Sequence, residues 1–348
     1  MPFGAVKAEI KKPTVSDAII AAARENARFI RPWRTPSERN DDPIFRRGCD
    51  HEDYGDAIIL QRRDSGRYDV YSTVKKLFEY SLRARTVCQF LQDKVLPHCA
   101  ENVSGCYRLC YDDIVSDHHN CLVFSKKKDQ QLALLPDLYQ MADYNCCSWK
   151  GEIAGCGAPV PFEQKKPQCI FAGALTGESA NIADNERVQG CVWSASGNED
   201  VSRFSITHWI RKREAAEMAF SKAIVDKITR PHVSVLEQLE YQSVMSIDGN
   251  TAAWDRPVWV MGSSSILLKK KSAHECWYYR FLRHGTHLVE IGEWDEVRSA
   301  VLYYDANPRE RLRMTEQSNQ FLRDFVVPAA AIQYTAALLD AASDLHKP

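Results

Sequence analysis

From Cys106 to Tyr304 the chain alternates short apolar segments with helical ones, and that alternation constrains the fold more than any other feature. YRLCY, CLVFS, QCIFAGALTG, CVWSAS, SVMSID, SILLKK and HLVEI read as buried strands. Between them KKDQQLALLPDLYQM, FSITHWIRKREAAEMAFSKAIVDKIT, AWDRPVWVM, ECWYYRFL and WDEVRSAVLYY read as helices, the first broken at Pro136. Such a pattern predicts an α/β fold, a parallel sheet wrapped by helices.

Upstream of the alternation the chain reads as a helical extension. Ser16 is placed to cap a helix through IIAAARENARFI that ends near Pro32. The charged stretch Arg34 to Arg67 reads as irregular surface. Ser72 or Thr73 then opens a second helix, with Val74, Leu77, Phe78 and Leu82 on one face and Pro97 closing it. The Gly/Pro-rich segment 151–167 divides the alternating region. It predicts a first domain over 1–160, a second over 161–325, and a C-terminal helix in 326–348 packing back on the first. Ligands of open α/β sheets bind at the carboxyl ends of the strands, so the cleft between the halves is the expected site.

Composition narrows the partners. The 45 basic residues against 46 acidic ones give a net charge of -1, without the basic excess of a protein that holds nucleic acid by its phosphates. No apolar run is long enough for a signal peptide or a membrane span, which predicts a cytoplasmic protein with no integral membrane segment. Twelve cysteines fall outside any paired CxxC pattern, so they read as buried free thiols rather than zinc ligands. Trp149, Trp209, Trp254 and Trp277 read as core residues rather than platforms for a sugar ring.

The chemistry concentrates between residues 240 and 325. A strand ends at Asp248-Gly249-Asn250, where glycine permits a tight turn, and a helix follows with Arg256 in its first turns. A guanidinium there is suited to bidentate contact with phosphate oxygens. Gly262-Ser263-Ser264-Ser265 repeats the device ahead of a strand carrying Lys269. Together these residues read as a diphosphate site.

This block resembles glycosyltransferase family 90, which includes protein O-glucosyltransferases, fungal capsule xylosyltransferases and bacterial lipopolysaccharide-modifying enzymes. The resemblance lies in the DGN turn, in the S-x-x-x-K-x-x-S segment formed by Ser265, Lys269 and Ser272, and in ECWYYRFL. It continues through His287 of HLVEI and Asn307 to the helix ending in QFL. Phe171, Gly173 and Thr176 of CIFAGALTG are similar to the family's turn at the donor site. The arginine that follows this turn in the family has no counterpart in GESAN, and Arg187 is the residue left to substitute for it. YRLCYDD resembles the family's strand that ends on a catalytic carboxylate, which makes Asp112 the base and Asp113 its alternative.

The resemblance implies two facing Rossmann-like domains of the GT-B type. It also implies an inverting transfer of xylose or glucose from a UDP-sugar to a hydroxyl of a glycan or glycoprotein. The expected donor contacts are Gly173, Thr176, Asp248, Gly249, Asn250, Arg256, Ser264, Ser265, Lys269 and Ser272, with no metal or other cofactor required. Two other readings compete. Asp112, Asp113, Asp117, His118 and His119 form a cluster suited to a metal-dependent hydrolase or phosphotransferase. A non-catalytic relative that binds glycans in the same cleft is the other.

Overall fold

The structure, a computed structural model, describes residues 14–30, 57–62, 68–72, 79–99, 103, 105–110, 121–145, 147–155, 160–177, 179, 181–210 and 212–344. Among the described residues twelve strands run in chain order: β1 (Ala57–Arg62), β2 (Tyr68–Ser72), β3 (Gly105–Leu109), β4 (Cys121–Val123), β5 (Lys126–Lys127) and β6 (Ala133–Leu134), then β7 (Lys166–Ala174), β8 (Ser202–His208), β9 (Tyr241–Ser246), β10 (Ile266–Lys270), β11 (His274–Glu275) and β12 (Val289–Ile291).

The first sheet has the order β2-β1-β3-β4-β6. Its β1 is antiparallel to β2 and β3, while β3, β4 and β6 are parallel. The β1–β2 pair replaces the irregular surface expected before Arg67 and the helix start expected at Ser72. The second helix runs Glu79–Gln89, and Val74, Leu77 and Phe78 lie outside the described residues.

The second sheet is wholly parallel, in the order β12-β10-β9-β7-β8. Counting its strands along the chain gives 2-1-3-4-5, a doubly wound order whose direction of winding reverses between β7 and β9. Four of its strands fall where the sequence places them. The fifth, β8, takes FSITH out of the expected long helix, which survives only as Arg213–Phe220 and Lys222–Ile228. CVWSAS, read as a strand, instead belongs to helix Glu186–Ala195, where Asn185 accepts from the N–H groups of Arg187 and Val188 as an N-cap.

Two segments read as helices become the joint between the sheets. Lys126–Lys127 pairs with His274–Glu275 as a separate two-stranded ribbon, β5–β11. ECWYYRFL beyond it keeps only a short turn at Tyr279–Phe281. KKDQQLALLPDLYQM supplies β6 and the one-turn helix Leu138–Met141. Pairing partners nearly 150 positions apart decide these conformations, and no local pattern reports them.

A hydrophobic core runs through both sheets and the terminal helices, and a second one lines the other face of the second sheet. The first helix, Val15–Ala27, is capped by Thr14 in a capping box with Asp17, two residues ahead of the expected Ser16. It packs against the last helix, Pro328–Asp344. Tyr334 of that last helix donates to Leu134 O at 2.9 Å and lies 4.6 Å from the ring of Trp277. Trp277 Nε1 donates to Gln140 Oε1, and Gln140 Nε2 donates to Val326 O. Trp209, Trp254 and Trp277 are buried and Trp149 packs against the core, so these indoles serve packing. Cys110, Cys169, Cys191 and Cys276 are buried. No single helix among the described residues is long and apolar enough to cross a membrane.

Asp137 caps the helix Leu138–Met141 in full burial, and its Oδ2 has no partner among the described residues. Burial pushes its carboxyl up to about 7 against the pull of the Gln140 and Tyr139 N–H groups, with Asp255 adding to the rise. The folded-state value lies above the unfolded 3.8, so the folded chain retains a proton that the unfolded chain has released. Stability from this group is complete below about pH 4 and is lost as pH rises through about 7, at up to ~1.4 kcal/mol per unit. Asp137→Asn keeps the cap acceptor and removes the proton. Urea unfolding from pH 4 to 8 should therefore show the variant gaining on the wild type across this window, and parallel curves would contradict the assignment.

Candidate donor site at the strand ends

A parallel sheet leaves the last carbonyls of its strands unpaired at one edge, and here that edge carries most of the sequence-derived candidates. β7 ends at Ala174 and turns through Leu175, Thr176 and Gly177. β9 ends at Ser246 and turns through Asp248-Gly249-Asn250. The two turns meet at the point where the winding reverses. Gly177 N donates to Asn250 Oδ1 at 2.9 Å, and Asn185 Nδ2 donates to Thr176 O at 3.1 Å. Gly177 has φ +119, a conformation that glycine adopts without strain.

Gly249 is dictated by close approach rather than by backbone angle. A Cβ there would overlap Thr176 Oγ1 and lie 3.0 Å from Arg187 Nη2. Gly173 is tight in the same way, with Phe171 Cζ at 3.1 Å from a built Cβ and Arg256 Nη2 at 3.5 Å.

Arg187 ties the two turns together. Its Nη1 donates to Ala174 O (2.7 Å), its Nη2 to Ile247 O (2.9 Å) and its Nε to Asp248 O (3.1 Å). Three carbonyls at the ends of two strands thereby acquire a charged donor. Burial, with Arg256 nearby, pulls the Arg187 guanidinium down to about 10, which leaves it protonated at neutral pH. The sequence offered Arg187 only as a substitute for a missing arginine. Its position one residue into a helix capped by Asn185 is the signal that fixes it at the strand edge.

Arg256 begins the helix Arg256–Met261 but turns inward. It donates to Gln238 Oε1 (2.8 Å) and Ala172 O (2.7 Å), with its guanidinium carbon 5.1 Å from the Phe171 ring centroid and 5.4 Å from that of Trp259. Burial pulls it also to about 10. Lys269, near the end of β10, is 2.8 Å from Asp248 Oδ1, and both side chains are nearly inaccessible. Ala253 N donates to the same oxygen. Burial alone would raise the Asp248 carboxyl, but Lys269, Ser272 and the Ala253 N–H outweigh it and hold the group below the usual carboxylate range. Lys269 and Asp248 thus bind each other, and the aspartate braces the turn it begins.

Ser264 and Ser265 do not join this cluster. They precede β10, and Ser265 Oγ donates to Tyr241 O at the start of β9 while accepting from Lys165 Nζ. The strand length sets them about 16 Å from the opposite edge. Ser272 lies beyond the end of β10, on the same side as Asp248 and Lys269. Asp112, Asp113, Asp117, His118 and His119 lie outside the described residues. β3, which leads toward them, ends at Leu109 beside Leu122 of β4. Just past β4, Ser125 Oγ accepts from Ala252 N and Phe124 lies edge-on to Trp254, so this end of the first sheet meets the segment after Asn250.

Loops and buried cations meet at the reversal point of a parallel 2-1-3-4-5 sheet, the place where open α/β sheets leave a crevice at their strand ends. The chain belongs to glycosyl transferase family 90, whose family model matches residues 159–348. Among curated proteins it is similar to the O-glucosyltransferase LpsA of Dichelobacter nodosus. The two are 26% identical over 112 residues, which cover 32% of this chain and 35% of that protein. The match therefore spans about a third of that relative's length. Among solved structures it is similar to TarM, with a TM-score of 0.38 and 9% identity over 53% of this chain and 37% of the other. A GtfA/B complex gives a TM-score of 0.33 and 14% identity over 53% and 38%.

The buried pair sets a stability test. Lys269→Met leaves the Asp248 carboxylate buried and unpaired, at an expected cost of about 3–5 kcal/mol. Adding Asp248→Leu removes the orphaned charge, so the double variant should recover part of that loss in urea unfolding. A double variant less stable than Lys269→Met would show that the pair does not account for the loss.

Proposed function

We propose that this chain is an inverting glycosyltransferase that moves glucose or xylose from a UDP-sugar to a hydroxyl of a glycan or glycoprotein. Membership of family 90 supports glycosyl transfer. The observation that carries the donor assignment is the convergence of two glycine turns with Arg187, Arg256 and Lys269 at the β7/β9 edge. Three cations there face Asp248 and Asp255, an environment that favours an added anion. The N-terminus of helix Glu186–Ala195 opens at the same edge and adds a positive dipole end. The name of LpsA, an O-glucosyltransferase, supports glucose rather than xylose as the sugar.

In this reading the diphosphate rests on the turns at Thr176–Gly177 and Gly249–Asn250. Arg187 stands behind those turns and holds them in place, and Arg256 braces β7 at Ala172 beside them. As the glycosidic bond breaks through an oxocarbenium-like state, charge develops on the leaving phosphate, where fixed cations and backbone N–H groups stabilise it without rearranging. The acceptor hydroxyl attacks from the opposite face of the sugar and needs a base for its proton. Asp112, with Asp113 as alternative, is three residues past the end of β3. That strand belongs to the sheet whose strand ends touch Ala252 and Trp254.

A screen of nucleotide sugars for slow donor hydrolysis tests the function directly, with turnover expected from UDP-glucose or UDP-xylose and persisting in EDTA. Activity lost in EDTA and restored by manganese would instead support the metal-dependent reading of the Asp112–His119 cluster. Calorimetry should find UDP binding weakened about tenfold or more in Arg256→Ala, which removes a buried positive charge near the crevice together with its brace on Ala172 O. Ser264→Ala, at the far edge, should leave it unchanged, and the reverse pattern would move the donor to the other end of the sheet. Asp112→Asn should lower transfer at least about a hundredfold with UDP affinity intact. Full activity in both Asp112→Asn and Asp113→Asn would place the base elsewhere.

A further inference from the structure

The strand-end edge carries a carboxylate that a diphosphate does not account for. Glu186 is the first residue of helix Glu186–Ala195, and its side chain is half-exposed. Arg187 and Arg256 are spent on neutral acceptors, and Lys269 and Asp248 hold each other. Glu186 Oε1 lies 3.6 Å from Lys270 Nζ at the end of β10, too far for a hydrogen bond. Its Oε2 has no hydrogen bond or ion pair among the described residues. Lys270 steadies the carboxylate without consuming it, because its Nζ donates to Gly292 O and lies 5.2 Å from the Trp294 ring centroid. Trp294 in turn rests on the helix at Gly190, where a Cβ would come within 2.6 Å of the indole. A larger residue at 190 would push Trp294, and Lys270 with it, away from Glu186.

An ionised carboxylate only accepts, so it repels phosphate oxygens and calls for a donor. Burial already raises the Glu186 carboxyl against the pull of Lys270, with Asp248 adding to the rise, and a phosphate oxygen beside it would raise it further. The donors on a UDP-sugar are the hydroxyls of the transferred sugar, the uracil N3–H and the ribose hydroxyls. The two faces of the second sheet separate them. Ile170, Val244 and Leu267 point into the core shared with the first sheet. Phe171, Met245 and Leu268 point into the other core, together with Val188 and Cys191 of the helix that Glu186 begins. That helix therefore covers the face turned away from the first sheet. The transferred sugar has to lie toward the first sheet, whose strand ends touch Ala252 and Trp254, which leaves the nucleoside for Glu186. Uracil N3–H stands between two carbonyl oxygens that repel a carboxylate, whereas ribose offers two adjacent hydroxyls to its two oxygens.

We propose that Glu186 accepts from the 2′- and 3′-hydroxyls of the donor's ribose and so selects ribonucleotides over nucleotides that lack this diol. The proposal rests on the UDP-sugar reading above. Glu186 acts in donor selection and takes no part in bond making, and Lys270 and Trp294 are the residues that position it.

The test is calorimetry on the full chain with UDP and 2′,3′-dideoxy-UDP. The wild type should bind UDP at least about tenfold more tightly than the dideoxy nucleotide, the scale of lost charge-assisted hydrogen bonds. Glu186→Gln should cut that preference to about threefold or less through weaker UDP binding. Its affinity for the dideoxy nucleotide should stay the same or tighten, because a negative charge near the diphosphate has gone. Glu316→Gln, at an exposed position of the helix Pro308–Phe321, should keep the wild-type preference. Equal binding of the two nucleotides by the wild type overturns the proposal, as does a preference that survives in Glu186→Gln. Equal weakening of both nucleotides in Glu186→Gln would make the glutamate a support for the fold and overturns it too. Each of those results leaves the UDP-sugar reading standing, whereas failure of the wild type to bind either nucleotide overturns that reading and the role of Glu186 together.

Discussion

The site depends on how a parallel sheet disposes of the carbonyl groups at the ends of its strands. Between β7 and β9 the connecting segments leave in opposite directions, so the carbonyls of Ala174, Ile247 and Asp248 have no following strand to answer them. Arg187 supplies a donor to each from a single planar group. A lysine in its place would offer a point charge without the fork that spans two strands. Residue 249 must be glycine because Thr176 Oγ1 fills the space a Cβ would take, with the Arg187 guanidinium close beside it. The geometry of both turns therefore follows from the Arg187 fork, the helix cap at Asn185 that aims it, and the bond from Gly177 N to Asn250 Oδ1 that joins them.

The same economy governs the charge. Asp248 and Lys269 neutralise one another in a nearly inaccessible position, where either alone would be costly. The two arginines are spent on neutral acceptors, the backbone carbonyls and the Gln238 amide, so their charge is satisfied by hydrogen bonds without being cancelled. Hydrogen bonding that leaves net positive potential intact is what an anion site requires of its buried cations.

Much of this was legible in the sequence. The strands β7, β9, β10 and β12 are apolar runs ended by glycine or polar turns, and Asp248-Gly249-Asn250 stood out as a turn with a purpose. Ser264 and Ser265 were grouped with it because they are close in sequence. A parallel strand carries its two ends to opposite edges, so serines before β10 and Ser272 after it cannot serve one site. β8 was hidden because FSITH runs directly into residues with helical spacing. CVWSAS has the composition of a strand, and only the Asn185 cap upstream marks it as a helix. The β5–β11 ribbon had no local signal at all, since Lys126 and Lys127 become a strand only when His274 and Glu275 arrive beside them. The fork of Arg187 was visible as a candidate and not as a role, because its three acceptors come from two strands whose adjacency the sequence does not state.

The central claim is that a uridine diphosphate sits on the turns at the β7/β9 edge and on no other part of the second sheet. Amide hydrogen exchange of the full chain with and without UDP measures this residue by residue. The account predicts slowed exchange at Gly177 and across Gly249–Asn250 and the first turn of Glu186–Ala195, with residues 262–266 unchanged. Protection confined to 262–266, or none at Gly177 and Gly249 under saturating UDP, would contradict it.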